Sequence, residues 1–309
     1  MPRPRVPLIL GRGATVDLTV IVVSYDSAAF LPACREALHR HTRGVAYEVV
    51  VVDNASRDGS AELVRRDWPA ARLIVNPENR GFARAVNQGA AGAAGRHLLL
   101  LNPDAEVGAE ALDRCVAFLD AHPDVGVVGA RVENPDGTLQ RACRRSVPTP
   151  LVSLFRLGGL RRLFPRHPAA RAYNLDDADP ARTLDVDAVS GSFLMARREA
   201  WERAGGLDER YFLYAEDIDF CLAVKAAGYR VVYYPEAVVV HHKGASSRRA
   251  SRAANREFHR AMALFHRKHF AAATPFWANW AILGAIALRG TALDLALRLG
   301  LTRRVGSKG

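Results

Sequence analysis

Two stretches decide the fold: Leu18-Thr19-Val20-Ile21-Val22-Val23, ending at Ser24-Tyr25-Asp26, and Glu48-Val49-Val50-Val51-Val52, ending at Asp53-Asn54-Ala55-Ser56. Both are short, β-branched and continuously apolar, the pattern of strands buried on two faces rather than one. Between them, Leu31–His41 has helical spacing, and Pro32 is tolerated in a first turn. Further along, Ala61–Arg66 reads as helix and Ala71–Val75 as strand. Asn79-Arg80-Gly81-Phe82 opens an Ala-rich helix expected to run through Ala94 and stop at Gly95. His97–Leu101 is a strand, Glu110–Ala121 a helix and Val125–Ala130 a strand. This alternation predicts an α/β protein with a mostly parallel sheet flanked by helices. Ligands of such sheets bind beyond the carboxyl ends of the strands, where the polar segments fall.

The chain has 309 residues, 49% of them hydrophobic, with a formal net charge of +11. That is enough chain for a large core, and the composition excludes a mainly disordered protein. The charge is unevenly placed. Residues 141–171 hold eight Arg and no acid, and residues 248–309 hold twelve Lys/Arg against Glu257 and Asp294; the remainder is net −7. An acidic body with two basic appendages is not the footprint of a nucleic-acid binder. Cys34, Cys115, Cys143 and Cys221 show no metal-ligand spacing and read as reduced thiols. Val6–Leu10 is too short an apolar run for a targeting core, so residues 1–17 read as a tail.

Several polar residues end strands or start helices. Asp53 follows four valines, and its carboxylate could accept from a base N–H or a ribose hydroxyl; Asp-Asn-Ala-Ser-Arg-Asp-Gly-Ser is also good turn chemistry. Asp104, in Asn102-Pro103-Asp104, is placed as a lone carboxylate for a hard divalent cation on a diphosphate, or as part of an Asn-Pro turn. Tyr211-Phe212-Leu213-Tyr214-Ala215-Glu216-Asp217-Ile218-Asp219 puts three acids at the start of a helix stopped by Gly228. The helix dipole favours acids there, but aromatic neighbours would strip water from a carboxylate and suit a general base. Tyr229–Tyr234 and Ala237–Val240 then lead to His241, a candidate metal ligand or phosphate contact.

Taken together these segments resemble a family 2 glycosyltransferase with the GT-A fold. The matching pieces are Val22-Val23-Ser24-Tyr25, Val51-Val52-Asp53-Asn54-Ala55-Ser56, Asn79-Arg80-Gly81-Phe82-Ala83 and Leu100-Leu101-Asn102-Pro103-Asp104. Val189-Ser190-Gly191-Ser192-Phe193, Gly205-Gly206-Leu207-Asp208-Glu209, Glu216-Asp217-x-Asp219 and His241-x-x-Gly244-x-Ser246 complete the set. The rhamnosyltransferase-like subgroup is similar also in Asp136-Gly137…Gln140…Arg144-Arg145…Pro148. The resemblance implies a Rossmann-like sheet with a nucleotide-sugar half over residues 18–105. It implies an acceptor and catalytic half over 106–247, carrying the Arg-rich insert 141–171. Ser24, Tyr25, Asp53, Asn79 and Gly81 would hold the donor nucleotide. Asp104 would bind Mg²⁺ or Mn²⁺ with His241. Asp217 would be the catalytic base, with Glu216 and Asp208 ordering the acceptor, Gly191 giving it close access, and Arg144 and Arg145 contacting a lipid-linked pyrophosphate. Asn102 stands where the family's first D-x-D acid would be. The Q-x-x-R-W of processive synthases is absent, which points to single-sugar transfer; one base and one displacement would invert the anomeric carbon, and the subgroup implies L-rhamnose from a dTDP-linked donor, with UDP-sugars as the alternative.

Residues 248–309 form the last unit. Thr274–Leu288 is uncharged and contains Trp277 and Trp280. Fifteen residues fall short of the roughly 20 needed to span a bilayer, so interfacial association with an anionic, cytoplasm-facing membrane is expected. Packing of 274–299 on the catalytic body or in a homo-oligomer is the alternative. Two other functions fit acids at strand ends: a nucleotidyltransferase, whose early Gly-rich phosphate loop is missing, and an inactive sugar-nucleotide-binding protein.

Overall fold

The computed structural model describes residues 16–242 and 252–301. The N-terminal tail's Val6–Leu10, the Gly244 and Ser246 positions after His241, and Arg248 and Arg249 lie outside them. The first half follows the expected alternation, with one added strand, β5: β1 (Leu18–Ser24), α1 (Leu31–His41), β2 (Tyr47–Asp53), α2 (Ser60–Asp67), β3 (Arg72–Val75), α3 (Phe82–Ala90), β4 (His97–Leu101), β5 (Ala105–Val107) and α4 (Ala111–Ala121). β6 (Val125–Glu133) follows, then β7 (Arg144–Arg145), the insert helices α5 (Pro150–Leu157), α6 (Leu160–Leu163) and α7 (Pro168–Ala172), and the short strands β8 (Leu184–Asp185) and β9 (Ala188–Val189). The chain continues with β10 (Phe193–Arg197), α8 (Arg198–Ala204), α9 (Glu216–Ala226), β11 (Arg230–His241), α10 (Arg252–His269) and α11 (Phe276–Arg298).

The main sheet has the order β3-β2-β1-β4-β10-β6-β11-β5, with β8 pairing β11. β3, β2, β1 and β4 are parallel, and β6 is parallel to β11. β10 runs antiparallel between β4 and β6, and β5 antiparallel to β11. The valine and leucine runs explain the layers. Val49, Val51, Leu99 and Leu101 face one core with α1 and α4; Val50, Val52, Leu98 and Leu100 face a second core with α3, α8 and α9. A strand apolar on both faces needs cover on both faces, and the helices supply it.

Three boundaries differ from expectation. α3 ends at Ala90, not Ala94, because Gly92 takes a positive φ of 70° and the chain turns back toward β1. Gly95 passes so close to β1 that a Cβ there would meet Thr19 N at 2.3 Å. The two runs Tyr229–Tyr234 and Ala237–Val240 are one strand, β11, whose register shifts between Tyr234 and Val238, around Pro235. The uncharged run Thr274–Leu288 continues past Arg289 into a 23-residue helix, α11.

Candidate active site

β1 and β2 end side by side, with Ser24 paired in register to Asp53. Both side chains are buried, yet Ser24 Oγ and Asp53 Oδ2 have no hydrogen-bond partner among the described residues. Asp53 Oδ1 accepts from the Ser56 N–H at 3.0 Å, so the turn chemistry and a free acceptor coexist on one carboxylate. Buried polar atoms without partners are uncommon and call for an explanation; a polar ligand at the strand ends supplies one. Tyr25 is half exposed beside them.

The Asn79-Arg80-Gly81 turn is tied to β2 through Asn54. Asn79 Oδ1 accepts from Asn54 Nδ2 at 2.9 Å and from Gly81 N at 2.9 Å, while Asn54 Oδ1 accepts from Arg80 N and Asn76 Nδ2. Gly81 sits at φ 85°, and a Cβ would lie 2.8 Å from the Phe212 ring, so only glycine fits where the turn meets the loop before α9. A cleft of about 510 Å³ opens from Asn79 toward Phe212 and Arg260. Its walls alternate Arg80, Arg84 and Arg210 with Glu78, Asp208 and Glu209, and they do not build a one-sign phosphate site. The strand ends remain the better candidate for the chemistry.

β5, which Asp104 immediately precedes, pairs with β11 and brings Asp104 and His241 together. Asp104 Oδ1 lies 3.1 Å from His241 Nε2, both residues buried, with Asn102 Nδ2 at 3.3 Å. Among the described residues no group of three or more His, Cys, Asp or Glu side chains could enclose a metal ion. One oxygen and one nitrogen donor suit instead a divalent ion that takes its remaining ligands from water and diphosphate oxygens. The donor set therefore fits Mg²⁺ or Mn²⁺ at Asp104 and His241.

The acid cluster starts α9, and its approach is strained: Tyr214 and Ala215 are consecutive non-glycine residues at φ 73° and 66°. Such conformations persist where surrounding structure enforces them, often at functional sites. Asp217 is buried and fully bonded. Its Oδ2 accepts from Arg145 Nη2 at 2.6 Å and from Gly191 N at 2.9 Å; its Oδ1 accepts from Ile218 N at 2.8 Å. A Cβ on Gly191 would stand 3.4 Å from that of Asp217, an ordinary contact, so it is the Gly191 N–H that seats the carboxylate. Glu216 is buried beside it, with Oε2 unpartnered among the described residues. Burial, reinforced by the Asp217 charge, pushes the Glu216 carboxyl well above the usual carboxylate range.

Asp219 anchors the C-terminal extension. Lys268 of α10 reaches Asp219 Oδ2 at 2.8 Å and Asp208 Oδ2 at 2.7 Å; His269 and Tyr211 meet Asp219 Oδ1. Asp208, read from sequence as an acceptor contact, is also gripped by Arg210, which holds its carboxyl far below the usual range, with Lys268 adding to the effect. Arg144 likewise differs from Arg145. Its guanidinium donates to the Ala178 and Asp179 carbonyls and lies over Tyr233, so it ties the start of the insert to the segment after it and to β11.

Both appendages leave apolar surface bare. In the insert, Leu163 and Phe164 are exposed beside Arg161, Arg162 and Arg166. α11 buries none of its residues, and Phe276, Trp277 and Trp280 are each at least 66% exposed. By length and composition α11 could cross a membrane, which corrects the fifteen-residue count that stopped at Arg289. The helix continues because its charges meet α10: Arg289 bonds His259 at 2.7 Å and Asp294 pairs with Arg252 at 2.9 Å. Sequence reasoning missed Asn54, Gln140 and the Arg145–Asp217 pair. The first follows a strand-end acid, a usable local signal; the others meet only through long-range folding.

Comparison with known proteins agrees with this fold. The profile of Glycosyl transferase family 2 matches residues 19–202, and that of Glycosyl transferase family group 2 matches residues 179–299. An N-acetylglucosaminyl-diphospho-decaprenol L-rhamnosyltransferase of Mycobacterium tuberculosis is 30% identical over 93% of this chain and 94% of its own. A mannosyltransferase from Pyrobaculum calidifontis, solved with GDP-Man and Mn²⁺, superposes with a TM-score of 0.57 at 22% identity, over 94% of this chain and 77% of that one. TarS of S. aureus, residues 1–349 with UDP-GlcNAc, gives 0.56 at 18% identity, over 94% and 77%. The fold is GT-A, and the chain belongs to glycosyltransferase family 2 as a rhamnosyltransferase-like glycosyltransferase.

Proposed function

We propose that the chain transfers one sugar, L-rhamnose by the kinship of its relative, from a dTDP- or UDP-linked donor to a hydroxyl of a lipid-linked glycan acceptor. Transfer inverts the anomeric carbon, depends on Mg²⁺ or Mn²⁺, and takes place on the cytoplasmic side of a membrane. The observation that carries the reading is the pair of buried, unpartnered acceptors at adjacent strand ends, Ser24 Oγ and Asp53 Oδ2. They await hydrogen-bond donors such as a pyrimidine N–H or a ribose hydroxyl.

In this reading Tyr25, Asn79 and Gly81 border the nucleotide, and Asp104 with His241 holds the cation. When bound, the cation offsets the charge that develops on the departing diphosphate. Asp217 takes the proton of the acceptor hydroxyl. The hydroxyl oxygen forms its bond to the anomeric carbon as the bond to the diphosphate oxygen breaks, and the nucleoside diphosphate leaves. Arg145 and Gly191 N–H aim Asp217, and Glu216, favoured in its protonated form, donates to the acceptor. Asp208 orders the acceptor only indirectly, by fixing the loop before α9 to α10. Single transfer is supported by the absence of the Q-x-x-R-W motif of processive synthases: Gln140 is followed by Arg141-Ala142-Cys143 and lies before the acid cluster. α11 and the Leu163-Phe164 tip supply the apolar contact with the bilayer, their arginines the contact with anionic headgroups.

A thermal-shift panel of nucleotide sugars with Mn²⁺, followed by transfer assays on lipid-linked acceptors, tests this. A true donor at a hundredfold excess over Kd stabilises by about 2.7 kcal/mol, a shift of about 5–10 °C. Pyrophosphate release from a sugar phosphate and a nucleoside triphosphate, with no transfer, would sink the proposal in favour of a nucleotidyltransferase. Donor binding with neither transfer nor donor hydrolysis would leave an inactive binding protein.

A further inference from the structure

Gln140, in the loop between β6 and β7, is buried and takes no part in the transfer described above, yet it touches the candidate metal ligand at two points. Its Nε2 donates to the His241 carbonyl at 2.7 Å and lies 3.4 Å from the Glu133 carbonyl. Its Oε1 lies 3.0 Å from His241 Nδ1. The amide can be oriented in only one way, since a flip would set its oxygen against two carbonyl oxygens. Oε1 is therefore the atom that faces Nδ1, and because Oε1 can only accept, Nδ1 must carry a proton.

The consequence falls on the other ring nitrogen. In the neutral imidazole Nε2 then carries no hydrogen, and its lone pair faces the Asp104 carboxylate at 3.1 Å as well as the Asn102 amide nitrogen at 3.3 Å. Two electron-pair donors that close repel each other unless a positive charge lies with them. We infer that Gln140 is a positioning residue that fixes the Nδ1–H tautomer of His241 and so presents Nε2, with Asp104, to a divalent cation. Partners on the far nitrogen of a metal-bound histidine orient the ring and raise its basicity, and losing them typically costs about 10–100-fold in metal affinity. The inference rests on the reading of His241 as a ligand.

Mn²⁺ alone, titrated into the full chain and followed by the loss of the free-ion EPR signal, tests it without any turnover. Gln140→Met, close in volume, should weaken Mn²⁺ binding about 10–100-fold. Gln140→Glu, held protonated by the two carbonyl oxygens it faces, can still donate to the His241 carbonyl and accept from Nδ1–H, and should hold Mn²⁺ within about threefold of the parent. A purely structural role for the amide predicts equal loss in both variants, and that result overturns the inference. The reading beneath it is tested apart. His241→Ala should weaken Mn²⁺ and remove any further effect of Gln140→Met; unchanged Mn²⁺ binding in His241→Ala overturns the ligand assignment itself. If His241→Ala weakens binding and Gln140→Met does not, only the inference falls.

Discussion

The two halves of the sheet hold their polar groups in opposite states. At the ends of β1 and β2, Ser24 and Asp53 are buried with open valences, in a pocket braced by Asn54 and Asn79. At the start of α9, Asp217 and Asp219 are buried and closed, each bonded by a cation from another element, Arg145 and Lys268, and only Glu216 beside them keeps an open oxygen. The first half is built to receive hydrogen-bond donors from outside. The second is held ready by internal charges, one from each basic appendage. Charge that looks like a general feature of the chain is used locally, to aim the acid helix.

The comparison can be broken at several points. Asp217→Asn should lower kcat by about three orders of magnitude, the range of a lost general base, measured as sugar transfer. Asp104→Ala should weaken donor binding with Mn²⁺ by tenfold or more and leave binding in EDTA unchanged, since the residue acts through the cation; calorimetry in both buffers checks this. Arg145→Met strands the Asp217 carboxylate in the interior. Urea denaturation should show a loss of about 3–5 kcal/mol, the usual cost of breaking a buried pair, whereas loss within 0.5 kcal/mol would show that the pair is dispensable. Lys268→Met removes a partly exposed partner of Asp208 and Asp219 and should lower Tm by only about 2–4 °C, equivalent to about 1 kcal/mol.

A pH series sharpens the contrast further. The Glu216 carboxyl titrates higher when folded than unfolded. The group therefore stabilises the fold while both states are protonated, and that contribution is lost as pH rises from the ordinary carboxylate range through neutrality. Glu216→Gln should match the parent's Tm near pH 4 and exceed it increasingly toward pH 8. A constant difference across the series would contradict the assignment.

The two halves also differed in how much of them could be read from sequence. Asp53 and Asp104 directly follow apolar runs, so their position at strand ends is fixed by the next few residues. The strand and helix order of the first half was legible for the same local reason. Arg145 meets Asp217 across 72 residues and Lys268 meets Asp219 across 49. No local pattern carries those distances, and Arg144 and Arg145, adjacent in sequence, turn out to face different partners. In the C-terminal extension the uncharged run Thr274–Leu288 is too short to span by itself, and only the contact of Arg289 with α10 shows that it and the helix-like stretch to Arg298 are one helix.

The most direct test is calorimetric titration of UDP and dTDP, with Mn²⁺ present, into Asp53→Asn and Asp217→Asn. An open donor half and a separate, closed acid helix predict that Asp53→Asn loses about 10–100-fold in affinity for the nucleotide that binds the parent, the cost of a charged hydrogen bond worth about 1.5–3 kcal/mol. Asp217→Asn should bind it within about twofold of the parent, because a general base acts on the acceptor's proton and not on the nucleotide. Equal loss in both variants, or full binding in Asp53→Asn, would contradict the division of labour between the two halves.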